Sequence, residues 1–466
     1  MVPVTLERCN TPGDLLHRLV RDGLPELRRA LDEADRQLPG YVLRELERFT
    51  TCGDPSGGFA WLWCETCDHH RLVPFTCKGR GFCPSCGGRR MTERAARWVD
   101  ELIPRVAVRQ WVITVPWPRR LLLARNPKLA RGVLKVSLRQ IQRWLRKRCR
   151  QSASQGGSIT VIQRFGSALN LNLHFHALVL DGVYTIDEAT NRIRWHRAPA
   201  PTDEEIEALV ERIADRAEAY LARLGYGPHD ELDEDPDDAQ LVIQSAAVAG
   251  RSAIGRGRRA RRVRTVAGRT YALPPKCAAC DGYNLHAGVV IGARDRRGLE
   301  RLCRYVARPP LAKPRLEERP EGGVRIQFKR PWSDGTKGID LSRIELVERL
   351  AALVPPPRTN TVLYHGVLAA RSALRDRVRP PDTARSGRGA STADRLAKKP
   401  AKTSRWVPWA WLLWRAFEVE GWICPHCEQR MRLRTVVMPP ATLDVLGSLD
   451  RSARGPPATQ PDPALA

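Results

Sequence analysis

The sequence predicts an α+β fold in which an antiparallel-sheet domain follows a helical, zinc-ribbon-like module. Three observations carry this. Short β-patterned runs alternate with amphipathic helical stretches between residues 101 and 378. Two of those runs, SITVIQRFG and ALNLNLHFHALVL, are so close in sequence that they read as an antiparallel pair. Cysteines crowd between Cys52 and Cys86, several of them as Cys-x2-Cys knuckles. At 466 residues the chain exceeds what one core usually supports, so two or three domains are expected.

Residues 1–100 form the first expected domain. Leu15, Leu16, Leu19, Val20, Leu24, Leu27 and Leu31 recur at helical spacing and predict two or three short helices over residues 11–49, packed on the cysteine-rich segment. The second domain spans 101–378. QWVITVPWP reads as a strand, and Leu121 to Arg150 as one or two helices with Lys and Arg outward. The antiparallel pair follows, then a helix from Thr202 to Leu224 opened by a Thr-Asp-Glu-Glu cap. An insertion near 227–270 contains the acidic loop HDELDEDPDD and the arginine-rich run RSAIGRGRRARRVR, expected to be solvated and mobile unless phosphate orders it. YNLHAGVVIGA is a strand, Asp295 caps a helix reaching Ala307, and GGVRIQFKRPW, a helix near Leu341–Val354 and TNTVLYHGVLA continue the alternation. A basic flexible linker is expected over 379–404. Residues 405–466 supply a Trp-rich helix, a second type of cysteine knuckle and a Pro/Ala tail expected to be disordered.

Lys and Arg number 78 against 51 Asp and Glu, a formal net charge of +27, which favours a polyanionic partner. No run approaches a membrane-spanning length, and the N-terminus lacks the pattern of a secretory signal, so a soluble cytoplasmic protein is expected. In that compartment thiols stay reduced, and cysteine spacing is read for metal.

Cys64, Cys67, Cys83 and Cys86 are two knuckles fifteen residues apart, a spacing that lets four thiolates close on one structural zinc. Cys52, His69, His70 and Cys77 add donors for a second site or a substitute ligand. Cys277-x2-Cys280 and Cys424-x2-Cys427 are half-sites, either paired with each other across the linker or unpaired.

In NLNLHFHALVL the strand alternation puts Asn170, Asn172, His174 and His176 on one face, opposite Leu171, Leu173, Phe175, Ala177 and Val179. Two imidazoles on a rigid strand can hold a divalent ion, with a polar third ligand from a neighbouring element. Gln163 on the preceding strand is the first choice, and His286 and Glu300 are the rivals. In DRRGLERLCRYVARPP, Leu299, Leu302, Cys303 and Val306 fix a buried helix face. Tyr305 falls at its edge, beside Arg301, Arg304 and Arg308, an arrangement able to hold a phosphodiester at the phenol. A protonated phenol needs a metal and cations to become a competent nucleophile.

With these motifs in place, the runs CETC…CKGRGFCPSC, QRFGSALNLNLHFHALVLDG, LCRYVARPPLA, TNTVLYHGVLA and CPHCEQRMRL, in that order, resemble the rolling-circle insertion-sequence transposases of the insertion sequence ninety-one type. These belong to the His-hydrophobic-His endonuclease class. The resemblance implies an antiparallel catalytic sheet with helices on one side. It implies that His174 and His176 bind Mg²⁺ or Mn²⁺ and that Tyr305 attacks a DNA phosphate, leaving a 5′-phosphotyrosine link and a free 3′-OH. Many members carry a second tyrosine four residues earlier, where this chain has Arg301, so a one-tyrosine cycle is implied. Single-stranded or hairpin element ends are the expected DNA. The chain has no phosphate-binding Gly-x4-Gly-Lys loop, so the host replication machinery or a separate helicase is expected to part the strands. Two other readings are a zinc-dependent DNA-binding protein without catalysis and a replication initiator with the same chemistry.

Overall fold

The computed structural model describes residues 4–6, 14–227, 235, 237–254, 261–264, 274–311, 315–332, 334–380 and 422–453. The Trp-rich stretch, most of the acidic loop and basic linker, and the Pro/Ala tail lie outside them. Among the described residues no helix is long and apolar enough to cross a membrane. The chain divides into two compact units. One comprises the described parts of 1–18, 47–79 and 390–466, and the other those of 19–46 and 80–389.

The larger unit is built on a six-stranded antiparallel sheet. In spatial order its strands are Cys277–Cys280, Tyr283–Ile291, Val108–Thr114, Leu171–Leu180, Gly157–Phe165 and Val362–Gly366. The strand carrying His174 and His176 is therefore central, paired on both sides. Val112 and Val161 stand opposite His176, and Thr114 and Gln163 opposite His174.

Both faces of this sheet are covered, not one. On the face of Phe175, Arg164 donates to the carbonyl of Ala124 in the helix Trp117–Arg125, and Tyr283 donates to Glu218 in the helix Asp203–Ala222. The histidine face is apolar away from the two rings. Leu178, Ile159, Val161 and Leu180 pack with Leu299, Leu302, Cys303 and Val306 of the helix Arg296–Val306, and with Trp98 and Val99. Burial of the strand on both faces explains why His176 is only 3% exposed. A buried ion pair, Arg109 to Asp181 at 2.9 Å, ties one strand to the residue just past the end of its neighbour, and the same guanidinium donates to the Ala287 carbonyl on another strand.

Local signals were reliable for helix starts. Thr202 and Glu205 make a reciprocal cap, and the Asp295 carboxylate accepts from the Gly298 amide at 2.7 Å. The arginine-rich run behaves differently from the expectation. Within it, Arg261–Arg264 is a strand, paired antiparallel with Thr336–Leu341 in a second sheet. Backbone pairing satisfies the amides that a solvated loop would have given to water.

The smaller unit holds a four-stranded sheet in the order Val4–Leu6, His70–Pro74, Phe59–Trp63, Arg432–Val437. The last strand and the helix Ala441–Ala453 that follows it had no counterpart in the sequence reading.

Candidate active site and zinc centre

The zinc knuckle starts from strand register. Arg432 pairs with Trp63, so the knuckle after Phe59–Trp63 and the knuckle before Arg432–Val437 lie side by side. The Sγ atoms of Cys64 and Cys427 are 3.4 Å apart, those of Cys67 and Cys424 are 3.5 Å apart, and all four fall within 4.8 Å of one another. A tetrahedron of thiolates around zinc has edges of about 3.8 Å, given Zn–S bonds of about 2.3 Å. The group fits a closed, structural zinc with no open position.

This replaces the expected set. Cys64 and Cys67 close with Cys424 and Cys427, and Cys83 and Cys86 stand outside that group. Cys83 caps the helix Pro84–Arg97 and Cys86 lies in its first turn. Cys277 and Cys280 occupy the edge strand of the large sheet and do not complete the Cys424 knuckle. His69 and His70 are not ligands of this group. The His70 ring accepts from Trp61 at 2.7 Å, and His69 packs against His426 with ring centroids 4.5 Å apart. Burial opposes ionisation at Cys64, but amide donors and Cys427 overcome it and bring Cys64 down to about 7, while burial and Cys427 push Cys67 up to about 12.

On the large sheet, the rings of His174 and His176 have centroids 4.9 Å apart, and Tyr305 meets His176 edge-on at 5.9 Å with an interplanar angle of 86°. The imidazole pair and the phenol thus converge. The helix holding Tyr305 buries Leu299, Leu302, Cys303 and Val306, as its spacing predicts, which leaves Tyr305 at the rim and 43% exposed. Arg308 covers the phenol ring, its guanidinium carbon 4.6 Å from the centroid. Arg304 is instead engaged by Glu300 at 2.8 Å, and Arg301 points to solvent.

The histidine tautomers follow from their partners. The Nδ1 of His174 faces the Asn172 carbonyl at 2.9 Å and must donate to it, so Nε2 keeps a lone pair for a metal. The Nδ1 of His176 meets the Gln110 amide at 2.7 Å, and turning that amide to present its oxygen frees Nε2 in the same way. Gln110 was missed in the sequence. Its alternation with Val112 and Thr114 along one strand face was the available signal. Burial, followed by the charges of Arg308 and Arg120, brings His174 down to about 4, and burial, then His174 and Arg308, hold His176 well below its ordinary value. Both rings are neutral near pH 7, the form that ligates.

Gln163 stands directly across from His174 and is 3% exposed. Its Nε2 donates to the Val306 carbonyl at 2.7 Å, tying the sheet to the residue beside Tyr305. Its Oε1 is buried with no hydrogen-bond partner among the described residues. An orphaned carbonyl oxygen beside two neutral imidazoles suits a divalent cation. The rivals are placed less well. Glu300 pairs with Arg304, and His286 lies two strands from His176, across Val112. Among the described residues neither joins the histidines in a potential metal group.

A family model described as a putative transposase matches residues 157–375, the stretch that contains both histidines, Gln163 and Tyr305. A second, described as a transposase zinc-binding domain of the insertion sequence ninety-one type, matches residues 22–115. The chain belongs to that transposase family. No curated protein and no solved structure matches it. The transposase is thus an enzyme of DNA rearrangement, and its zinc-binding domain begins with helices that the leucine periodicity had indicated, Leu15–Asp32 and Gly40–Thr50.

Proposed function

We propose that this transposase nicks single-stranded DNA at the ends of its element, with Tyr305 as nucleophile. The observation that carries the reading is the meeting of the Tyr305 ring with His176 at 5.9 Å under the Arg308 guanidinium. His174, His176 and Gln163 would hold Mg²⁺ or Mn²⁺, and a bound ion supplies Lewis-acid polarisation of the scissile phosphate. Arg308 binds the phosphate and balances the charge that builds on it, with Arg301 at the exposed rim. The phenol oxygen of Tyr305 bonds to phosphorus, the bond to the 3′ oxygen breaks, and the phenolic proton passes through solvent to that oxygen. The products are a 5′-phosphotyrosine link and a free 3′-OH, the outcome needed for rolling-circle transposition with a single tyrosine.

Strand separation falls to the host replication machinery or a separate helicase. Cys52 and Cys77, whose amide–sulfur contact is 3.3 Å, are assigned to structural zinc binding.

The test is incubation of the full chain with single-stranded element-end DNA and Mn²⁺, followed by a denaturing gel and mass mapping of the DNA-linked peptide. A covalent adduct mapping to Tyr305 and missing from Tyr305→Phe is expected. An adduct that survives in Tyr305→Phe, or none in the native protein with any divalent ion, defeats the reading.

A further inference from the structure

A cavity of about 440 Å³ opens between the helix Pro84–Arg97 and the edge strand Val362–Gly366. None of its residues takes part in the chemistry above. Its walls carry five arginines against two glutamates, and Tyr364 and Trp98 lie between them. Register places it relative to the histidines. Tyr364 stands opposite Ile159, which stands opposite Leu178, two residues beyond His176 on the central strand. Tyr364 is therefore on the histidine face, at a Cα distance of about 12 Å from His176 for two strand spacings and two residues of rise.

The Tyr364 ring is fixed and partly open. Trp98 donates its Nε1 to the Tyr364 hydroxyl at 3.0 Å, and Tyr364 remains 37% exposed. Arg375 lies against the same ring at 5.9 Å, and its Nε is buried with no hydrogen-bond partner among the described residues. Burial, then the neighbouring Arg90 and Arg80, outweigh Tyr364 and Glu93 and hold the Arg94 guanidinium below its ordinary value. Crowding of like charges in a partly desolvated cavity is unfavourable until an anion enters. A rigid aromatic face beside under-neutralised guanidiniums matches an unpaired base with its flanking phosphates. Duplex DNA fits less well, because its bases have no free face to stack.

We infer that this cavity seats an unpaired nucleotide of the strand being cut, its base on Tyr364 and its flanking phosphates on Arg94 and Arg375. Occupancy of the cavity rests on single-stranded DNA being the substrate, and only the link to Tyr305 rests on the proposed nucleophile. A short run of nucleotides then connects the cavity to the phosphate at Tyr305, and the enzyme holds the strand at two points.

The test uses the full-length Tyr305→Phe protein, which binds without cutting. An oligothymidylate carrying one 5-iodouracil is photocrosslinked and the adduct mapped, and affinity is followed by fluorescence anisotropy across a salt series. Crosslinking to the peptide containing Tyr364 is expected. Combining Arg94→Gln with Arg375→Gln should weaken binding about tenfold and reduce the salt slope by about 1.4, for two phosphates at about 0.7 each. Tyr364→Leu should weaken binding about tenfold with the slope unchanged, since stacking is worth roughly 1–3 kcal/mol per base. The Arg94→Lys, Arg375→Lys protein keeps both charges and should keep the slope, which separates lost contacts from lost fold. An unaltered slope in the double Gln variant, a crosslink elsewhere, or competition by thymidine monophosphate as strong as that by the oligonucleotide overturns the proposal. Should native protein form the Tyr305 adduct while these binding results fail, the cavity alone is refuted. Should the binding results hold with no adduct, the nicking chemistry alone is refuted.

Discussion

Replacing Cys424 and Cys427 by serine separates two incompatible zinc arrangements. If zinc joined Cys67 to Cys83, it would close a loop of sixteen positions, the difference between 67 and 83. The structure instead joins Cys64 to Cys427 and Cys67 to Cys424, separations of 363 and 357 residues. Closing a loop of that length costs about 3 kcal/mol more than the short one, from the logarithmic dependence of closure entropy on length. The strand Arg432–Val437 offers little to offset this, because of its residues only Val437 is buried. A structural zinc contributes roughly 10–16 kcal/mol, so the metal decides whether the C-terminal segment stays attached. Zinc measured by atomic absorption should therefore fall by one ion per chain in Cys424→Ser/Cys427→Ser. Residues 422–453 should become the first target of limited proteolysis, as they should in native protein treated with a chelator. Unchanged zinc content in the variant would refute the long-range pairing and restore Cys83 and Cys86 as partners of Cys64 and Cys67.

Two further outcomes test the proposed catalytic face. Gln163→Leu removes the orphaned oxygen and the donor to the Val306 carbonyl, leaving that buried acceptor unpaired. A loss of about 1–3 kcal/mol in thermal stability is expected, together with a rightward shift in the Mn²⁺ dependence of adduct formation; an unshifted metal curve would remove Gln163 from the ligand set. The second concerns pH. His174, with its folded-state pKa depressed to about 4, is protonated more readily in the unfolded chain, near 6.5. Its contribution to stability is present above pH 6.5 and is lost as pH falls toward 4, an effect on the order of 3 kcal/mol before solvent around the half-buried ring reduces it. Metal-free protein melted between pH 7 and pH 4 should show this decline, and His174→Gln should flatten it.

What could be read from the sequence was what depends on neighbours in the chain. Strand alternation put His174 and His176 together, helical spacing buried Leu299, Leu302, Cys303 and Val306, and a Thr-to-Glu interval marked the cap at Thr202. What escaped depends on pairing between distant segments. A Cys-x2-Cys knuckle is complete locally as a half-site, and nothing in its spacing says which other half it meets; that was set by the register of Arg432 on Trp63. Helical spacing puts Arg304 on the same helix edge as Tyr305, yet Glu300, one turn earlier, claims it. The second covered face of the sheet was hidden because the residues beneath the tyrosine helix, Ile159 and Leu178, sit on the same side as the polar histidines. Alternation alone assigns a strand one wet face and one dry one, and cannot say where along its length the wet face ends.

The zinc knuckle also has a temporal side. Cys64 and Cys67 leave the ribosome long before Cys424 and Cys427, which follow 357 to 363 residues behind their partners. At about 5–20 residues per second, that lag is roughly 20–70 seconds. For that interval the early thiols wait with half a coordination shell, so the finished clasp reports that synthesis has passed Cys427. A nascent or prematurely ended chain would lack it.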